Sequence, residues 1–496
     1  MADKVFVAVD VGASSGRHMA GLFDGGQLKL AEIYRFENGP VYVGDHMHWN
    51  VLGLWKDITI GLRAAGNDYG RALTSVGVDT WGVDFGLLGR GDELLGNPYH
   101  YRDARTHGMF EAAFDLVPRE EIFAQTGLQF MEINSLYQLL SMNLSNSPIL
   151  EMAESLLFMP DLFHWLMTGE KVNEFTDATT SQFYNPLRGN WARQLLSKLG
   201  IPTNILCDIV QPGTKLGKLR KQVAGETGLP GIEVVLPGTH DTASAVLAVP
   251  ADSVEDSVPN WCYISSGTWS LMGVESPEPI INARASELNF TNEGGVGNTT
   301  RVLKNIAGLW LVQECRRVWN QEGADHSWDD LVRLAEGARP LVSLIDPDHA
   351  SFVAPANMAS AIRNFCRDTG QTVPSSEGAV IRCALESLAL RYRQVLGWLE
   401  ELIGQRIETI HIVGGGSQNE QLNQMTADAC HRRVLAGPVE ATATGNILMQ
   451  MIAMGEVGSI AQARKIVQQS FPTEEYTPRD TTRWDEAFER FEGLSH

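Results

Sequence analysis

The stretch VFVAVDVGASSGR, residues 5–17, decides the fold that we expect for this chain. Its first five residues, 5–9, are continuously apolar, which is typical of a strand buried in the centre of a sheet. Asp10 and the small, turn-prone residues 12–16 follow, and the apolar character resumes at residues 19–23. The sequence therefore predicts two strands joined by a tight turn, with an acidic side chain near the end of the first strand.

A second stretch of the same kind lies about half a chain further on. Residues 261–264 are apolar, residues 265–268 (SSGT) are small and polar, and residues 269–274 are largely apolar again. Two Ser- and Gly-rich hairpins at this separation indicate two related domains. The mixture of acids, Ser and Pro in residues 250–259 is typical of a linker, and we expect the two halves to join there.

Other segments alternate between strand-like and helix-like patterns, which favours an α/β architecture. Apolar spacing and capping residues predict helices over residues 134–144, 160–168 and about 376–402. The β-branched strand 409–413 leads into Gly414-Gly415-Gly416. The S-x-x-E spacing of residues 417–420 then predicts a capping box at the start of another helix.

The composition narrows the classes of function. There are 60 acidic residues against 39 Lys plus Arg, a net charge of −21, so a nucleic-acid partner is not expected because phosphate binding needs a basic surface. The six cysteines show no zinc-ligand spacing and predict reduced thiols in a cytoplasmic protein. No apolar run reaches the roughly 18 residues of a membrane span, and the N-terminal apolar run is too short for a signal peptide.

Glycine is abundant, with 48 residues, and three Gly-rich turns follow predicted strands, at residues 12–16, 265–268 and 414–416. Glycine and small hydroxyl residues let backbone N–H groups approach phosphate oxygens closely. The sequence lacks a P-loop, a Rossmann fingerprint and the signature set of protein kinases. A nucleotide, if it binds, is therefore expected to bind in another way.

Two acids stand where phosphate chemistry would need them. Asp10 ends the first strand beside a Gly-rich turn, and Asp241 follows a predicted strand in the segment GTHDT. A carboxylate in such a place can hold Mg²⁺, and a second can accept the proton of an attacking hydroxyl. The alternative is that both acids cap turns or helices.

Other candidates stay open at this stage. Asp79 and Asp84 flank Thr80-Trp81-Gly82-Val83 and are either polar anchors of a sugar pocket or ordinary acids at strand ends. The segment His46-Met47-His48 offers two potential metal ligands without an identifiable third, which favours an edge strand.

Together these features resemble the FGGY carbohydrate kinases of the actin-like ATPase superfamily, over residues 5 to about 451. The segments that carry the resemblance are VDVGASSGR (9–17), DTWGVDF (79–85), YRDART (101–106), HDTASAV (240–246), SSGTWSLMG (265–273), TNEGG (291–295), LKNIAGLW (303–310) and HIVGGG (411–416). The resemblance implies two ribonuclease-H-like domains that face each other across a nucleotide and sugar cleft. Residues 1–248 would carry the sugar site and the first phosphate loop, and residues 249–496 the nucleotide site and the second phosphate loop.

The resemblance also implies a role for individual residues. Asp241 matches the catalytic base and Asp10 the acid associated with Mg²⁺. Matches to nucleotide-contacting positions are Ala13, Ser14, Ser15, Gly16 and Arg17 in the first phosphate loop, Thr268 in the second, and Gln313 and Gly415 beyond it. Matches to sugar-contacting positions are Gly82, His240, Asp241, Thr242 and Asn305. The family sometimes has cysteines that match Cys366 and Cys383, and whether these two are ever bridged stays open.

The implied activity is transfer of the γ-phosphate of ATP, with Mg²⁺, to the 1-hydroxyl of a ketose. L-rhamnulose is the favoured acceptor. L-fuculose and L-xylulose are the alternatives, since pocket shape sets which ketose is accepted and the sequence does not show a difference in the orientation of one hydroxyl. A non-catalytic ATP-binding regulator on the same fold is a further alternative. The expected partners are these small molecules, with no nucleic acid and no membrane.

Overall fold

The computed structural model describes residues 4–251, 258–353 and 355–494 of an α/β chain in which strands alternate with helices. Most of the predicted linker, residues 252–257, lies outside the described residues. Across the described part of the chain, no helix is both long enough and apolar enough to cross a bilayer.

The strands of the described chain range from two-residue pairs to a ten-residue strand. In chain order they are β1 (Lys4–Val11), β2 (Ser15–Phe23), β3 (Leu28–Glu37), β4 (Pro40–Val43), β5 (His46–Trp49), β6 (Leu73–Thr80), β7 (Phe85–Leu88), β8 (Ser155–Phe158), β9 (Asn173–Glu174), β10 (Tyr184–Asn185), β11 (Asn190–Trp191), β12 (Ile209–Val210), β13 (Lys215–Lys218), β14 (Glu233–Val235), β15 (Trp261–Ser266), β16 (Trp269–Ser276), β17 (Thr291–Gly294), β18 (Thr300–Ala307), β19 (Thr409–Val413), β20 (Arg433–Ala436) and β21 (Glu474–Tyr476).

The α-helices lie between and after these strands. They are α1 (Val51–Tyr69), α2 (Met109–Leu116), α3 (Arg119–Thr126), α4 (Ser135–Leu144), α5 (Pro148–Met152), α6 (Met159–Thr168), α7 (Phe175–Ala178), α8 (Arg193–Lys198), α9 (Lys221–Thr227), α10 (Asp241–Leu247), α11 (Ala283–Glu287), α12 (Trp310–Gln321), α13 (Trp328–Glu336), α14 (Met358–Asp368), α15 (Glu377–Ile403), α16 (Glu420–Cys430), α17 (Ala441–Ala453), α18 (Ile460–Ser470) and α19 (Thr482–Glu492).

The chain forms two compact units, and neither is a single continuous segment. Unit 1 contains Met1–Ser257, Glu275–Val302 and Ala441–Phe471, and unit 2 contains Val258–Val274, Leu303–Glu440 and Pro472–His496. Two segments from the second half of the chain therefore belong to unit 1. The functional division after residue 248 stays a prediction.

Unit 1 is built on a sheet with the strand order β13-β14-β6-β1-β2-β3. β1 pairs antiparallel with β2 and parallel with β6, and β6 pairs parallel with β14. Every residue of β1 after Lys4 is buried, which confirms the predicted central strand. Its alternate residues Val5, Val7 and Val9 share an apolar core with Leu54 of α1, and α17 also packs on β1.

Unit 2 repeats this pattern with different strands. Six strands of its sheet run in the order β18-β16-β15-β19-β20-β21. β15 pairs antiparallel with β16 and parallel with β19, β19 pairs parallel with β20, and β20 pairs antiparallel with β21. The same sequence of pairings joins β2, β1, β6, β14 and β13 in unit 1. The prediction of two related α/β domains, made from two hairpins, is confirmed.

The predicted helices are confirmed as α4, α6 and α15, with Gly169 as the left-handed C-cap of α6 and Ser376 as the N-cap of α15. The predicted capping box at residues 417–420 is wrong. Residues 415–418 form a 3₁₀ turn in which Ser417 Oγ donates to the Gly414 carbonyl at 2.7 Å. Asn419 caps α16 instead, since its side chain accepts from Leu422 N at 2.9 Å.

Candidate active site

The first Gly-rich turn joins β1 to β2 and is closed by its own backbone. The N–H of Gly12 donates to the Ser15 carbonyl at 2.9 Å, and Asn38 Nδ2 donates to the Gly12 carbonyl at 2.8 Å. A Cβ atom at Gly16 would lie 2.1 Å from the ring of Phe36, so β2 passes this ring closely only because the residue is glycine. The predicted phosphate loop, residues 13–17, is thus a tight turn with the side chain of Ser14 exposed.

Carboxylates gather at the end of β1 and β6 beside this turn. Asp10 and Asp79 are register partners in the parallel pair β1–β6. The next residue, Thr80, donates its N–H to the Thr239 carbonyl at 2.9 Å, which brings the segment before Asp241 to the same edge. The carboxyl ends of parallel strands meet at one edge of a sheet, and ligands of α/β proteins bind there.

Asp79 is fully buried within this group. Asn446 Nδ2 of α17 donates to Asp79 Oδ2 at 2.6 Å, while Asp79 Oδ1 has no hydrogen-bond partner in the described chain. Burial, and next the neighbouring charge of Asp10, raise the pKa of Asp79 well above its ordinary value. The second carboxyl oxygen of Asp79 is thus an orphan acceptor, which indicates that this edge of the sheet suits a positive group.

Asp10 is held by the predicted loop residue Arg17. Nε and Nη2 of Arg17 donate to Asp10 Oδ2 at 3.0 and 2.9 Å. Among the described residues no group of three or more His, Cys, Asp or Glu side chains could hold a metal ion alone. Mg²⁺ does not need such a cage, because it keeps several waters and is commonly bound by one or two carboxylates and substrate phosphates. Asp10, with the orphan oxygen of Asp79 beside it, fits this chemistry.

Asp241 is the first residue of α10 and the acid with open access in this group. One third of its side chain, 33%, is exposed, and its Oδ1 atom accepts a hydrogen bond from Thr242 Oγ1 at 3.1 Å. His240 Nε2 lies 3.4 Å from the same oxygen. Burial raises the pKa of Asp241, the neighbouring His240 opposes this rise, and Asp10 adds to it. A raised pKa makes the carboxylate a better proton acceptor at neutral pH.

Glu174 fixes the segment that carries Asp241, and sequence reasoning missed it. Its Oε2 atom accepts from the N–H and Oγ1 of Thr239 at 3.2 and 2.6 Å and from Thr176 Oγ1 at 2.6 Å. Thr176 Oγ1 in turn accepts from the N–H of His240 at 3.1 Å. No motif or periodicity marks this buried acid, since it lies 65 positions from Thr239 in the chain.

Gly82 and its neighbours form the next part of the same edge. A Cβ atom at Gly82 would lie 2.9 Å from the side chain of Thr180. Val83 has φ +68°, an uncommon backbone conformation for a β-branched residue. Thr180 Oγ1 accepts from the N–H of Val83 at 3.0 Å, and Ser135 Oγ donates to the Val83 carbonyl at 2.5 Å. The surrounding side chains therefore hold the backbone of Val83 in place.

The structure answers the open question about Asp84. This fully buried carboxylate accepts from the Nε1 atoms of Trp49 and Trp81 at 2.6 and 3.0 Å and from Gln138 Nε2 at 2.8 Å. Burial raises its pKa to about 6 against the effect of these hydrogen bonds. Asp84 thus accepts hydrogen bonds inside an aromatic cluster and is not placed to contact a ligand.

In unit 2, the second Gly-rich turn lies against the start of α12. The carbonyls of Gly267 and Thr268 accept from the N–H groups of Leu309 and Trp310 at 3.0 and 3.1 Å. A Cβ atom at Gly308 would lie 2.8 Å from the Thr268 carbonyl oxygen. The turn and the helix are thus in close backbone contact. Gln313 lies in the first turns of this helix, and Asn305 lies on β18 just before it; both side chains are half-buried.

The third Gly-rich turn, after β19, packs on the end of β15. A Cβ atom at Gly416 would lie 2.0 Å from Ser266 Oγ, and Gly414 adopts φ +85°. A Cβ atom at Gly415, by contrast, would meet no atom of the described chain within 4 Å. The two outer glycines are therefore needed for packing and backbone geometry, whereas Gly415 borders open space where a ligand can approach.

The predicted residues thus fall into two groups. Unit 1 brings together Asp10, the loop 13–17, Gly82 and the segment 240–242, and unit 2 brings Thr268, Asn305 and Gln313 together around the start of α12. The segment His46-Met47-His48 lies on β5, which pairs with β4 in a two-stranded ribbon, as predicted for an edge strand. All six cysteines are free thiols, and the neighbouring Cys383 lowers the pKa of Cys366.

Comparison with known proteins identifies the family of this site. The model of the N-terminal domain of the FGGY family of carbohydrate kinases matches residues 5–248, and the model of the C-terminal domain matches residues 262–454. A rhamnulokinase from Bacteroides thetaiotaomicron is 46% identical over 98% of this chain and 98% of its own length. A rhamnulokinase from Pectobacterium atrosepticum is 44% identical over 100% of this chain and 97% of its own length.

Solved structures share the fold at low sequence identity. A xylulose kinase from Lactobacillus acidophilus matches 99% of this chain and 97% of its own with a TM-score of 0.81 at 15% identity. A glycerol kinase from Plasmodium falciparum, solved with ADP, matches 99% of this chain and 98% of its own with a TM-score of 0.76 at 12% identity. These similarities confirm the predicted two-domain, ribonuclease-H-like fold class.

Proposed function

Because the chain belongs to the FGGY family of carbohydrate kinases, we propose that it transfers the γ-phosphate of ATP to the 1-hydroxyl of L-rhamnulose, giving L-rhamnulose 1-phosphate. The observation that carries the choice of sugar is the similarity to rhamnulokinases over nearly the full length of both chains. The alternative ketoses, L-fuculose and L-xylulose, have no comparable support.

Asp241 is the proposed catalytic base. Its carboxylate is partly exposed, has a raised pKa and accepts a hydrogen bond from Thr242 Oγ1 at Oδ1, with His240 Nε2 3.4 Å from the same oxygen. In the proposed reaction it takes the proton of the 1-hydroxyl while that oxygen attacks the γ-phosphorus of ATP. Gly82, His240, Thr242 and Asn305 are the proposed sugar contacts.

The phosphates of ATP are proposed to bind at the Gly-rich turns, where backbone N–H groups serve in place of a basic surface. Residues 13–17 form the first proposed phosphate loop, in a sugar-binding domain of residues 1–248. Thr268, Gln313 and Gly415 belong to the proposed nucleotide-binding domain of residues 249–496. Asp10 is the proposed Mg²⁺ ligand, and the bound ion would neutralise charge on the transferred phosphoryl group. We propose a cytoplasmic location, on the basis of the free thiols.

The test is an assay of ADP formation with L-rhamnulose, L-fuculose and L-xylulose at matched concentrations, with and without Mg²⁺. We expect the highest kcat/KM for L-rhamnulose and little ADP without sugar or Mg²⁺. Mass spectrometry of the product, with NMR to locate the phosphate, should place it on carbon 1. A higher kcat/KM for another ketose would transfer the proposal to that sugar. ATP binding without phosphorylation of any sugar would favour the non-catalytic regulator instead.

A further inference from the structure

His240 lies between the proposed catalytic base and a buried cation. Arg301, at the start of β18, has no exposed side-chain surface, and its Nη2 atom lies 3.0 Å from His240 Nδ1. An arginine guanidinium has only donors and stays protonated in proteins. His240 Nδ1 must therefore accept this hydrogen bond. In a neutral imidazole the single proton then resides on Nε2.

The protonated nitrogen of His240 faces the base. His240 Nε2 is 3.4 Å from Asp241 Oδ1, and Thr242 Oγ1 donates to the same oxygen at 3.1 Å. Both neighbouring side chains thus lie on the Oδ1 side of the carboxylate. In the described part of the chain, no hydrogen bond of Asp241 to another side chain involves Oδ2. The carboxylate therefore has one oxygen oriented by its neighbours and one available for substrate.

Glu293 stabilises the arginine and competes with it for the histidine. Glu293 Oε2 is 3.2 Å from Arg301 Nη2 and 3.4 Å from His240 Nδ1. Arg301 Nε also donates to the Gly294 carbonyl at 2.8 Å. Without the guanidinium, the carboxylate of Glu293 would be the group nearest to Nδ1 and would favour a proton there. The proton would then be lost from Nε2, opposite Asp241.

We propose that Arg301 is a positioning residue for the catalytic base. Its hydrogen bond to His240 Nδ1 selects the tautomer that carries the proton on Nε2. That Nε2–H orients Asp241 Oδ1, so Oδ2 stays available to accept the sugar proton. This role rests on the proposed function, since it assumes that Asp241 is the base. Arg301 does not contact the reacting atoms in this arrangement. It acts through His240 alone.

The direct test is the tautomer of His240, measured in the full-length protein by NMR with ¹⁵N-labelled histidine. His240→Gln identifies the resonances among those of the 12 histidines. We expect the Nε2–H form in the wild type and a shift towards the Nδ1–H form in Arg301→Met. Glu293→Gln is the matched control, since it breaks the same buried ion pair but keeps the arginine, and it should retain the Nε2–H form.

Kinetics supply the second readout. We expect Arg301→Met to lower kcat for sugar phosphorylation by about 10- to 100-fold, the range for a displaced catalytic group, with little change in KM for ATP. In a His240→Gln background the same substitution should cost little further, because the effect is transmitted through His240. Arg301→Lys keeps the charge beside Glu293, but a single ammonium lacks the fork that serves several acceptors, so we expect a smaller loss.

Stability controls separate positioning from folding. Arg464→Met removes another buried arginine of unit 1, which pairs with Glu275 at 2.5 Å, and should lower the melting temperature without changing the His240 tautomer. If Arg301→Met does not fold, Arg301→Lys carries the same measurements. An unchanged tautomer together with wild-type kcat in the folded variant overturns the proposal. The tautomer is measured without substrate, so a wild type that phosphorylates no sugar refutes the proposed function and leaves the tautomer assignment standing.

Discussion

The two sheets repeat the same sequence of antiparallel and parallel strand pairings, but different side chains lie at their corresponding edges. In unit 1 the register partners near the ends of β1 and β6 are Asp10 and Asp79. In unit 2 the partners at the ends of β15 and β19 are Ser265 and Val413. The first edge concentrates carboxylates, whereas the second presents hydroxyl groups and glycine. The repeated fold supplies two similar edges, and the proposed function places proton transfer at the first and backbone contacts to phosphate at the second.

The largest difference between the edges should appear when one polar side chain is removed from each. Asp241→Asn in unit 1 keeps the shape of the side chain but removes the proton acceptor, so we expect kcat to fall by about 10³-fold or more. Thr268→Ala in unit 2 should raise KM for ATP by about tenfold, the cost of roughly one hydrogen bond.

Steady-state kinetics in both substrates, with nucleotide binding measured by calorimetry, test this contrast. Asp241→Asn should bind ATP almost as the wild type does. Near-normal turnover in this variant would remove Asp241 from the role of base. Equal losses of kcat in the two variants would show that the edges do not divide the chemistry in this way.

Asp84 shows how a buried acid in unit 1 can act on stability instead of catalysis. Burial raises its pKa to about 6, so the folded protein binds this proton more tightly than the unfolded chain, in which Asp titrates near about 3.9. The protonated Asp84 therefore contributes its whole stabilisation below the pKa of Asp in the unfolded chain. This contribution to the free energy of unfolding is lost as pH rises through about 6. Two pKa units correspond to about 3 kcal/mol.

Urea unfolding between pH 4.5 and 7.5 measures this effect in the wild type and in Asp84→Asn, which cannot titrate. We expect the difference in free energy of unfolding between the two proteins to shift in favour of the variant as pH rises over this range, by about 2 kcal/mol. Parallel pH dependences would show that Asp84 does not take up a proton in this range.

The sequence predicted more of the fold than of the site. Continuous apolar runs and two similar hairpins were enough for β1, β15 and the two related units, because these signals are local and repeated. The site depends on contacts between distant segments. Glu174 meets Thr239, and Arg301 meets His240, across 65 and 61 positions of chain, so no local pattern reveals either contact.

Local patterns also failed where a tertiary contact outweighed them. Ser417 and Glu420 have the spacing of a capping box, but Gly416 packs on Ser266 and the chain makes a further 3₁₀ turn before α16 begins. Ser417 then bonds to the Gly414 carbonyl and is not available to cap the helix.

The smallest predicted effects compare two neighbouring glycines of unit 2. In Gly416→Ala the new methyl group would lie 2.0 Å from Ser266 Oγ, so the turn must move away from β15. Overpacking of this kind costs about 1–3 kcal/mol. In Gly415→Ala the methyl group meets open space, so stability should stay within about 0.5 kcal/mol of the wild type. If a nucleotide occupies that space, the same methyl group should weaken ATP binding.

Chemical denaturation and ATP titration of both variants separate packing from ligand contact within one turn. Gly416→Ala should lose stability, and Gly415→Ala should lose affinity for ATP while keeping its melting temperature. A Gly415→Ala protein with wild-type affinity would place the nucleotide elsewhere along the edge of unit 2. Because the two glycines are adjacent in sequence and differ only in what surrounds them, this pair shows whether the glycine-rich edge serves binding as well as packing.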